Sequence, residues 1–286
     1  VINGKKHILV TGSNGFIGRK LVDTLVKSGH IVEEFDLHHG NIIDFSFSFI
    51  ELDHIIHLAS RVNVPESWED PYSFYNTNVM GTVNILELCR KIACPLTYIS
   101  SYVYGNPKYL PVDELHPVEP SSPYHHSKLI AEEICLYYQN TFHIPVTIFR
   151  PVNVYGPGQS SGFLIPSIIN QVLNPSVKKI TVMDLRPRRD YLYIDDFIHA
   201  IIPSLNLDGF NLFNIGSGIS FSVEEIILTV MKLTDISKEY DSRHIERKNE
   251  IWDVFIDTSK IEATTGWKPN ISFQEGIKRC VDYFKL

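Results

Sequence analysis

Residues 11–18 read TGSNGFIG, with glycines at 12, 15 and 18. Immediately before them, His7-Ile8-Leu9-Val10 is a short apolar run that reads as a buried strand. Immediately after, apolar residues recur at Ile17, Leu21, Val22, Leu25 and Val26, which is helical spacing, and Gly29 is a natural stop. The glycines therefore fall in a strand-to-helix turn. Such a turn leaves the backbone N–H groups of a helix N-terminus free to hold a pyrophosphate. The first glycine makes the turn, the middle one admits the phosphate, and the last lets helix pack on strand. A second strand, residues 31–36, ends in Asp36, 18 residues beyond Gly18, close to the spacing of a carboxylate that binds an adenosine ribose. That carboxylate accepts hydrogen bonds from a ribose diol and repels a 2′-phosphate, so the expected dinucleotide is NAD rather than NADP. His38 and His39 follow and soften this preference if protonated.

The rest of the chain sets the frame around this turn. With 286 residues it suits one large domain or two intimate ones, and a 44% hydrophobic composition supplies a sizeable core. No apolar run is long enough to span a membrane. Residues 1–6 are polar and do not read as a secretion signal, so a cytoplasmic location is expected. A net charge of −7 argues against a nucleic-acid or anionic-membrane partner. Cys89, Cys94, Cys135 and Cys280 show no metal or redox spacing and are expected as buried free thiols. The histidine groups at 38–39 and at 116, 125 and 126 lack structural-zinc spacing, so no metal is expected.

Strand-like stretches at 54–59, 95–100 and 146–149 alternate with helix-like stretches at 71–92 and 123–138. This predicts an α/β fold of the doubly wound Rossmann type, a parallel sheet wrapped by helices. Between Asp36 and Ile42 there are only five residues, whereas a parallel crossover needs about a dozen or more. The sheet edge after the second strand is therefore expected to be trimmed. Residues 1–160 and about 192–215 are assigned to the dinucleotide domain, and about 161–191 and 216–286 to a smaller α/β substrate domain.

Tyr124 and Lys128 lie four apart at the start of a helix and so share a face. A tyrosine is a base near neutral pH only if its phenolate is stabilised, and a nearby ammonium does that. Ser100 ends a strand at the same edge as the glycine loop, where a hydroxyl could hold a substrate oxygen. Asp195 and Asp196 read as a helix N-terminal pair, and the three tryptophans as packing residues.

These motifs together resemble the extended short-chain dehydrogenase/reductases, specifically the NAD-dependent nucleotide-sugar epimerase/dehydratase group, with UDP-galactose 4-epimerase as the nearest pattern. The likeness runs almost end to end: TGSNGFIG, HLAS (57–60), NTNVMGT (76–82), SSYVYG (100–105), YHHSK (124–128), RPVNVYGPG (150–158), RRDYLYIDD (188–196), NIGSG (214–218) and DTSKIEATTGWKP (257–269). The resemblance implies that Tyr124 and Lys128 are the catalytic pair. Ser100 is the third member, four residues before the tyrosine of VYG, with Ser101 as the fallback. It implies that Gly12, Gly15, Phe16, Ile17, Gly18, Asp36, Asn41, Ile42, Ala59, Ser60 and Asn78 line NAD together with Tyr124 and Lys128. Ser101 and Asn153 would touch the substrate, Leu164 and Val182 would shape the base pocket, and Arg189 and Arg247 would clamp the diphosphate. Val254, seven residues after Arg247, falls where these epimerases gate the sugar C2 substituent.

The chain departs from the family pattern at two places. The trimmed edge matches the compact dTDP-4-keto sugar reductases and puts Asn41 and Ile42 in doubt as adenine contacts. Sugar 4,6-dehydratases and UDP-glucuronate decarboxylases carry acids just after their catalytic threonine, and here those places are Ser101 and Tyr102. Elimination needs an acid for the leaving hydroxyl, so dehydration is disfavoured. The implied activity is 4-epimerisation of a nucleotide-diphosphate sugar, with a 4-keto sugar reductase as the alternative. A non-catalytic NAD-binding scaffold is the alternative of another class. The resemblance also implies a homodimer paired through the helices at 71–92 and 123–138.

Overall fold

The computed structural model describes residues 4–45, 51–245 and 250–285, in two compact units. The first contains residues 1–104, 118–151 and 198–213. Its core is a six-stranded sheet built on β1 (His7–Thr11), β2 (Ile31–Phe35), β3 (His54–His57), β4 (Leu96–Ile99) and β5 (Val146–Pro151). The spatial order is β2-β1-β3-β4-β5, closed by the strand Phe210–Ile215. The pairings of β1 with β2 and β3, of β3 with β4 and of β4 with β5 are all parallel. Ile8, Leu9, Val10, Ile55, Ile56, Leu96 and Ile148 are almost completely buried, because helices cover both faces of a parallel sheet. Register sets the site. Thr11 is opposite both Phe35 and His57, and Ile99 is opposite Phe149. The glycine loop, Asp36, residues 58–60 and Ser100-Ser101 thus leave the sheet at one edge, the carboxyl ends of the strands, where open α/β sheets bind ligands.

The trimmed edge is present among the described residues. After β2 the chain makes two hydrogen-bonded turns, His39 N to Asp36 O at 2.7 Å and Gly40 N to Leu37 O at 3.2 Å. It then enters a single 3₁₀ turn at Ile42–Asp44, and β2 stays outermost.

The helix expected over 71–92 is interrupted by a widened turn. α1 (Phe16–Lys27) follows the glycine loop, and after β3 come α2 (Val64–Glu69), α3 (Pro71–Tyr75), a π turn at Asn76–Met80 and α4 (Gly81–Ile92). Thr82 Oγ1 donates to the Asn78 carbonyl at 2.6 Å and so supplies a partner where the helical ladder is displaced. Gly81 allows the close approach that follows, since a Cβ there would lie 2.7 Å from Ile42 Cγ2. α5 (Pro123–Phe142) starts at Ser122, whose hydroxyl accepts the His125 N–H at 3.2 Å. It runs four residues beyond the expected end, to a left-handed His143.

The second unit contains residues 105–117, 152–197 and 214–286. It takes 105–117, 152–160, 192–197 and 214–215, which the sequence analysis assigns to the dinucleotide domain. Pairing explains the shift. Asn153–Tyr155 adds parallel to Arg188–Tyr193, which pairs antiparallel with Ser220–Ser222, and Val112 bridges to Ile256. A separate parallel pair joins Lys179–Val182 to Glu239–Ser242. Buried Asp190 is the hub of this unit. Its carboxylate accepts N–H groups of Ser217 at 2.8 Å and Gly218 at 3.0 Å, and the Ser217 hydroxyl at 2.7 Å. Asp195 and Asp196 do lie in the first turn of the helix Ile194–Ile201. Asp196 also accepts the Asn270 and Ile271 N–H groups, and the buried Trp267 indole donates to its carbonyl. Trp68 and Trp252, expected as packing residues, are each 43% exposed. All four cysteines are free and buried. No helix among the described residues is long and apolar enough to cross a membrane.

Candidate active site

The glycine loop has the shape and the unmet bonding of an anion cradle. Gly12 adopts φ +71°, and a Cβ there would lie 2.7 Å from the Ala59 nitrogen. A Cβ on Gly18 would run into the Gly12 carbonyl. Gly15 caps α1 without any side-chain hydrogen bond, and no acid occupies the first turn, so the helix N-terminus keeps its donors and its positive dipole. The buried Ser13 hydroxyl has no protein partner. Asp36 is held against this loop: its carboxylate accepts the Asn14 N–H at 2.9 Å and the Leu37 N–H at 2.6 Å. Two of roughly four acceptor sites are thus used, which leaves capacity for a diol. The residues present fit a dinucleotide.

Other residues expected around the cofactor are committed elsewhere. Asn41 Oδ1 accepts the Ile43 N–H at 3.2 Å and so caps its own turn. Ile42 is buried in the core against Gly81, and its carbonyl accepts Asn84 Nδ2 at 3.2 Å. Asn78 is buried, with Oδ1 accepting the Arg61 N–H at 2.8 Å and Nδ2 donating to Arg61 O at 3.1 Å and to Ser127 Oγ at 2.9 Å. These bonds fix all three residues in place at this edge. Phe16 and Ile17 open α1, and Ala59 and Ser60 follow β3, all half-buried at the loaded edge.

Tyr124 and Lys128 share one face of α5, and Lys128 is buried with Nζ 4.6 Å from the centroid of the Tyr98 ring. Burial lowers Lys128 from its ordinary 10.5 to about 7, against the opposing pull of the Glu132 carboxylate. Burial raises the Tyr124 phenol, while a hydrogen bond with the Ser101 side chain works the other way. The two serines expected at the third place differ in their partners. Counting back from VYG pointed to Ser100, but the Ser100 hydroxyl is buried and donates to Glu132 Oε1. Ser101, the fallback, is the side chain that lowers the Tyr124 phenol.

The sequence reading missed the groups beneath this pair. Arg150 grips Glu132 through Nε at 3.0 Å to each oxygen and Nη2 at 2.5 Å, and its Nη1 donates to Tyr104 Oη at 2.9 Å. His57 joins Thr11 Oγ1 at 2.6 Å to Thr82 Oγ1 at 3.2 Å and stacks on Tyr98. Glu132 follows Lys128 by one helical turn, a signal present in the sequence, but nothing there identifies Arg150 as its partner.

In the second unit, Arg189 donates to Glu250 Oε1 at 2.5 Å, to Arg188 O at 2.8 Å and to Ile251 O. Its guanidinium is thus already paired with a carboxylate. Asn153 Nδ2 donates to Asp190 O at 3.2 Å. Leu164 opens a helix half-buried, while Val182 and Val254 are buried. Arg247 lies outside the described residues.

Comparison with known proteins identifies the family. A family model described as GDP-mannose 4,6 dehydratase matches residues 29–280. The putative UDP-glucose 4-epimerase of Methanocaldococcus jannaschii is 35% identical over 306 residues, covering 97% of this chain and 98% of that protein. Among solved structures, the UDP-glucose 4-epimerase of Thermus thermophilus complexed with NAD matches at TM-score 0.86 and 26% identity over 98% of this chain and 99% of that one. RMD from Pseudomonas aeruginosa complexed with NADPH matches at TM-score 0.90 and 27% identity, over 99% and 100%. The chain belongs to the GDP-mannose 4,6-dehydratase family, within the extended short-chain dehydrogenase/reductases, and is an enzyme of the nucleotide-sugar epimerase, dehydratase and reductase kind.

Proposed function

We propose that the protein is an NAD-dependent nucleotide-sugar 4-epimerase. The observation that carries this reading is buried Lys128 one helical turn after Tyr124 on α5, with no acid at positions 101 and 102. The Tyr124 oxygen takes the proton of the sugar C4 hydroxyl and later gives it back. The Ser101 hydroxyl steadies the same oxygen. The Lys128 ammonium favours the phenolate that burial alone would suppress. NAD, when bound, supplies the hydride acceptor and returns the hydride. Positions 101 and 102 offer no carboxyl group to protonate a leaving hydroxyl, so the reaction stops at exchange of configuration rather than loss of water.

The nucleotide-diphosphate sugar is assigned to Asn153, Leu164, Val182, Arg189, Arg247 and Val254 of the second unit. For the diphosphate to be clamped, Arg189 must exchange Glu250 for phosphate oxygens, which its planar fork suits. Valine at 254 leaves space for an N-acetyl group at C2. A homodimer through α3, α4 and α5 completes the proposal.

The test is incubation with UDP-, GDP-, dTDP- and CDP-sugars, with products resolved by NMR. Interconversion of one sugar with its 4-epimer, without net change in NAD, supports the proposal. Stoichiometric NAD(P)H loss with a 4-keto sugar overturns it in favour of a reductase, a reading to which the likeness to the NADPH-bound RMD lends some weight.

A further inference from the structure

Glu132 is a buried carboxylate that the proposed chemistry does not use. It sits on α5 one turn after Lys128, and helical geometry places the two side chains on one face. Arg150 from β5 holds both its oxygens, and Ser100 at the end of β4 gives its hydroxyl to Oε1. One carboxylate therefore joins the catalytic helix to β4 and β5, immediately before Ser101.

An ion pair this deep is a weak source of stability, because desolvation offsets most of the attraction. Its placement suggests another use. The groups acting on Lys128 are the Tyr98 ring from β4, His57 from β3, and Glu132 and Cys135 from its own helix, where Tyr124 lies one turn before it. His57 is buried, packed and neutral, held down to about 3 by burial and then by the Lys128 charge. Cys135 is buried and its thiol is pushed up, so it too is uncharged. Among these groups Glu132 is the one fixed anion.

We propose that Glu132 is a positioning residue for the reaction: its carboxylate holds Lys128 in the charged form inside a buried site, and through Ser100 it fixes the strand end that presents Ser101 to Tyr124. Arg150 keeps that carboxylate paired and aimed. The proposal rests on the reading of Tyr124 and Lys128 as the catalytic pair, but its test needs neither substrate nor cofactor.

Lys128 is followed by NMR in protein labelled with ¹³Cε-lysine, its resonance identified as the one missing in Lys128→Met. Glu132→Gln keeps the shape and removes the charge, and the Lys128 titration midpoint should fall by about one unit or more. Glu132→Asp keeps the charge and disturbs the packing, and the midpoint should stay within a few tenths of the parent value. Should Glu132→Gln fold poorly with Arg150 unpaired, Glu132→Gln/Arg150→Met buries no lone charge, and the midpoint must still fall. An unchanged midpoint in the double variant, or an equal fall in Glu132→Asp, overturns the proposal. Failure of the sugar panel alone would leave these titrations unaffected, so the two readings fail separately.

Discussion

The Ser100 hydroxyl is buried and donates to the Glu132 carboxylate, whereas the neighbouring Ser101 side chain acts on the phenol of Tyr124 and lowers it. The two serines are therefore expected to differ in kind. Ser101→Ala removes a hydroxyl that meets the reacting oxygen, and kcat should fall by about 10–100-fold with little change in unfolding temperature. Ser100→Ala leaves a buried carboxylate short of one donor, and should cost about 1–3 kcal/mol of stability while kcat falls less than in Ser101→Ala. Steady-state kinetics and thermal melts on both variants check this. A larger kcat loss in Ser100→Ala would return the role to Ser100.

Asp36 touches the glycine loop through Asn14 and its own neighbour Leu37, and keeps acceptor capacity for a diol. Asp36→Ala should weaken NAD by about tenfold or more and narrow the discrimination against NADP, since it removes both the ribose acceptor and the charge that repels a 2′-phosphate. Fluorescence titration of both cofactors on both proteins is the measurement. Equal affinity of the unmodified protein for NAD and NADP would count against the ribose role.

Stability should respond to pH through two histidines. His54 and His57 are buried, and burial holds each down to about 3 from an ordinary 6.5, with Lys6 and Lys128 respectively adding to the shift. Between those values the unfolded chain binds more protons than the folded one. Stability is therefore fully present above about pH 6.5 and is lost as pH falls towards 3, at up to about 1.4 kcal/mol per pH unit for each residue. His57→Gln keeps a side chain able to bond Thr11 and Thr82 without titrating. Its melting temperature should depend less steeply on pH between 6.5 and 4 than that of the parent. Parallel curves would show that His57 does not titrate as its burial requires.

What was legible in the sequence had a local signature. The glycine loop, the short second crossover and the Tyr124–Lys128 spacing are set by neighbours in the chain, and each is found where expected. What was not legible depends on partners far away in sequence. The role of Ser100 was counted from a motif, but β4 ends by giving that hydroxyl to Glu132, 32 residues later. Asn78 looked like a cofactor ligand in its motif, and its amide is spent on Arg61 and Ser127. Asn41 and Ile42 were in doubt from the trimmed edge, and the packing of Ile42 against Gly81, 39 residues later, is not visible in the chain around it. Segment 105–117 joined the second unit through a bridge from Val112 to Ile256, which no periodicity reveals.

The proposed dimer places its demand on residues that the monomer leaves uncovered. Phe74 and Leu86, on the same stretch of chain, are completely buried in the first unit, so they are not available to a partner. Tyr72 is 76% exposed and Tyr137 60%, with Met80 and Leu136 also open on this stretch and on α5. Helices that bury one face on a sheet and keep large apolar side chains on another fit a second contact. A stable pairing would bury about 800 Å² from each partner. The expected mass in solution is thus twice the 32.7 kDa of one chain. Tyr72→Glu/Tyr137→Glu places charge at both positions, and the desolvation of those carboxylates in the pair should shift the protein towards monomer at micromolar concentration while its melting temperature changes little. Light scattering at several concentrations measures this directly. A parent protein that is already monomeric, or a double variant that stays dimeric, would place the association elsewhere or remove it.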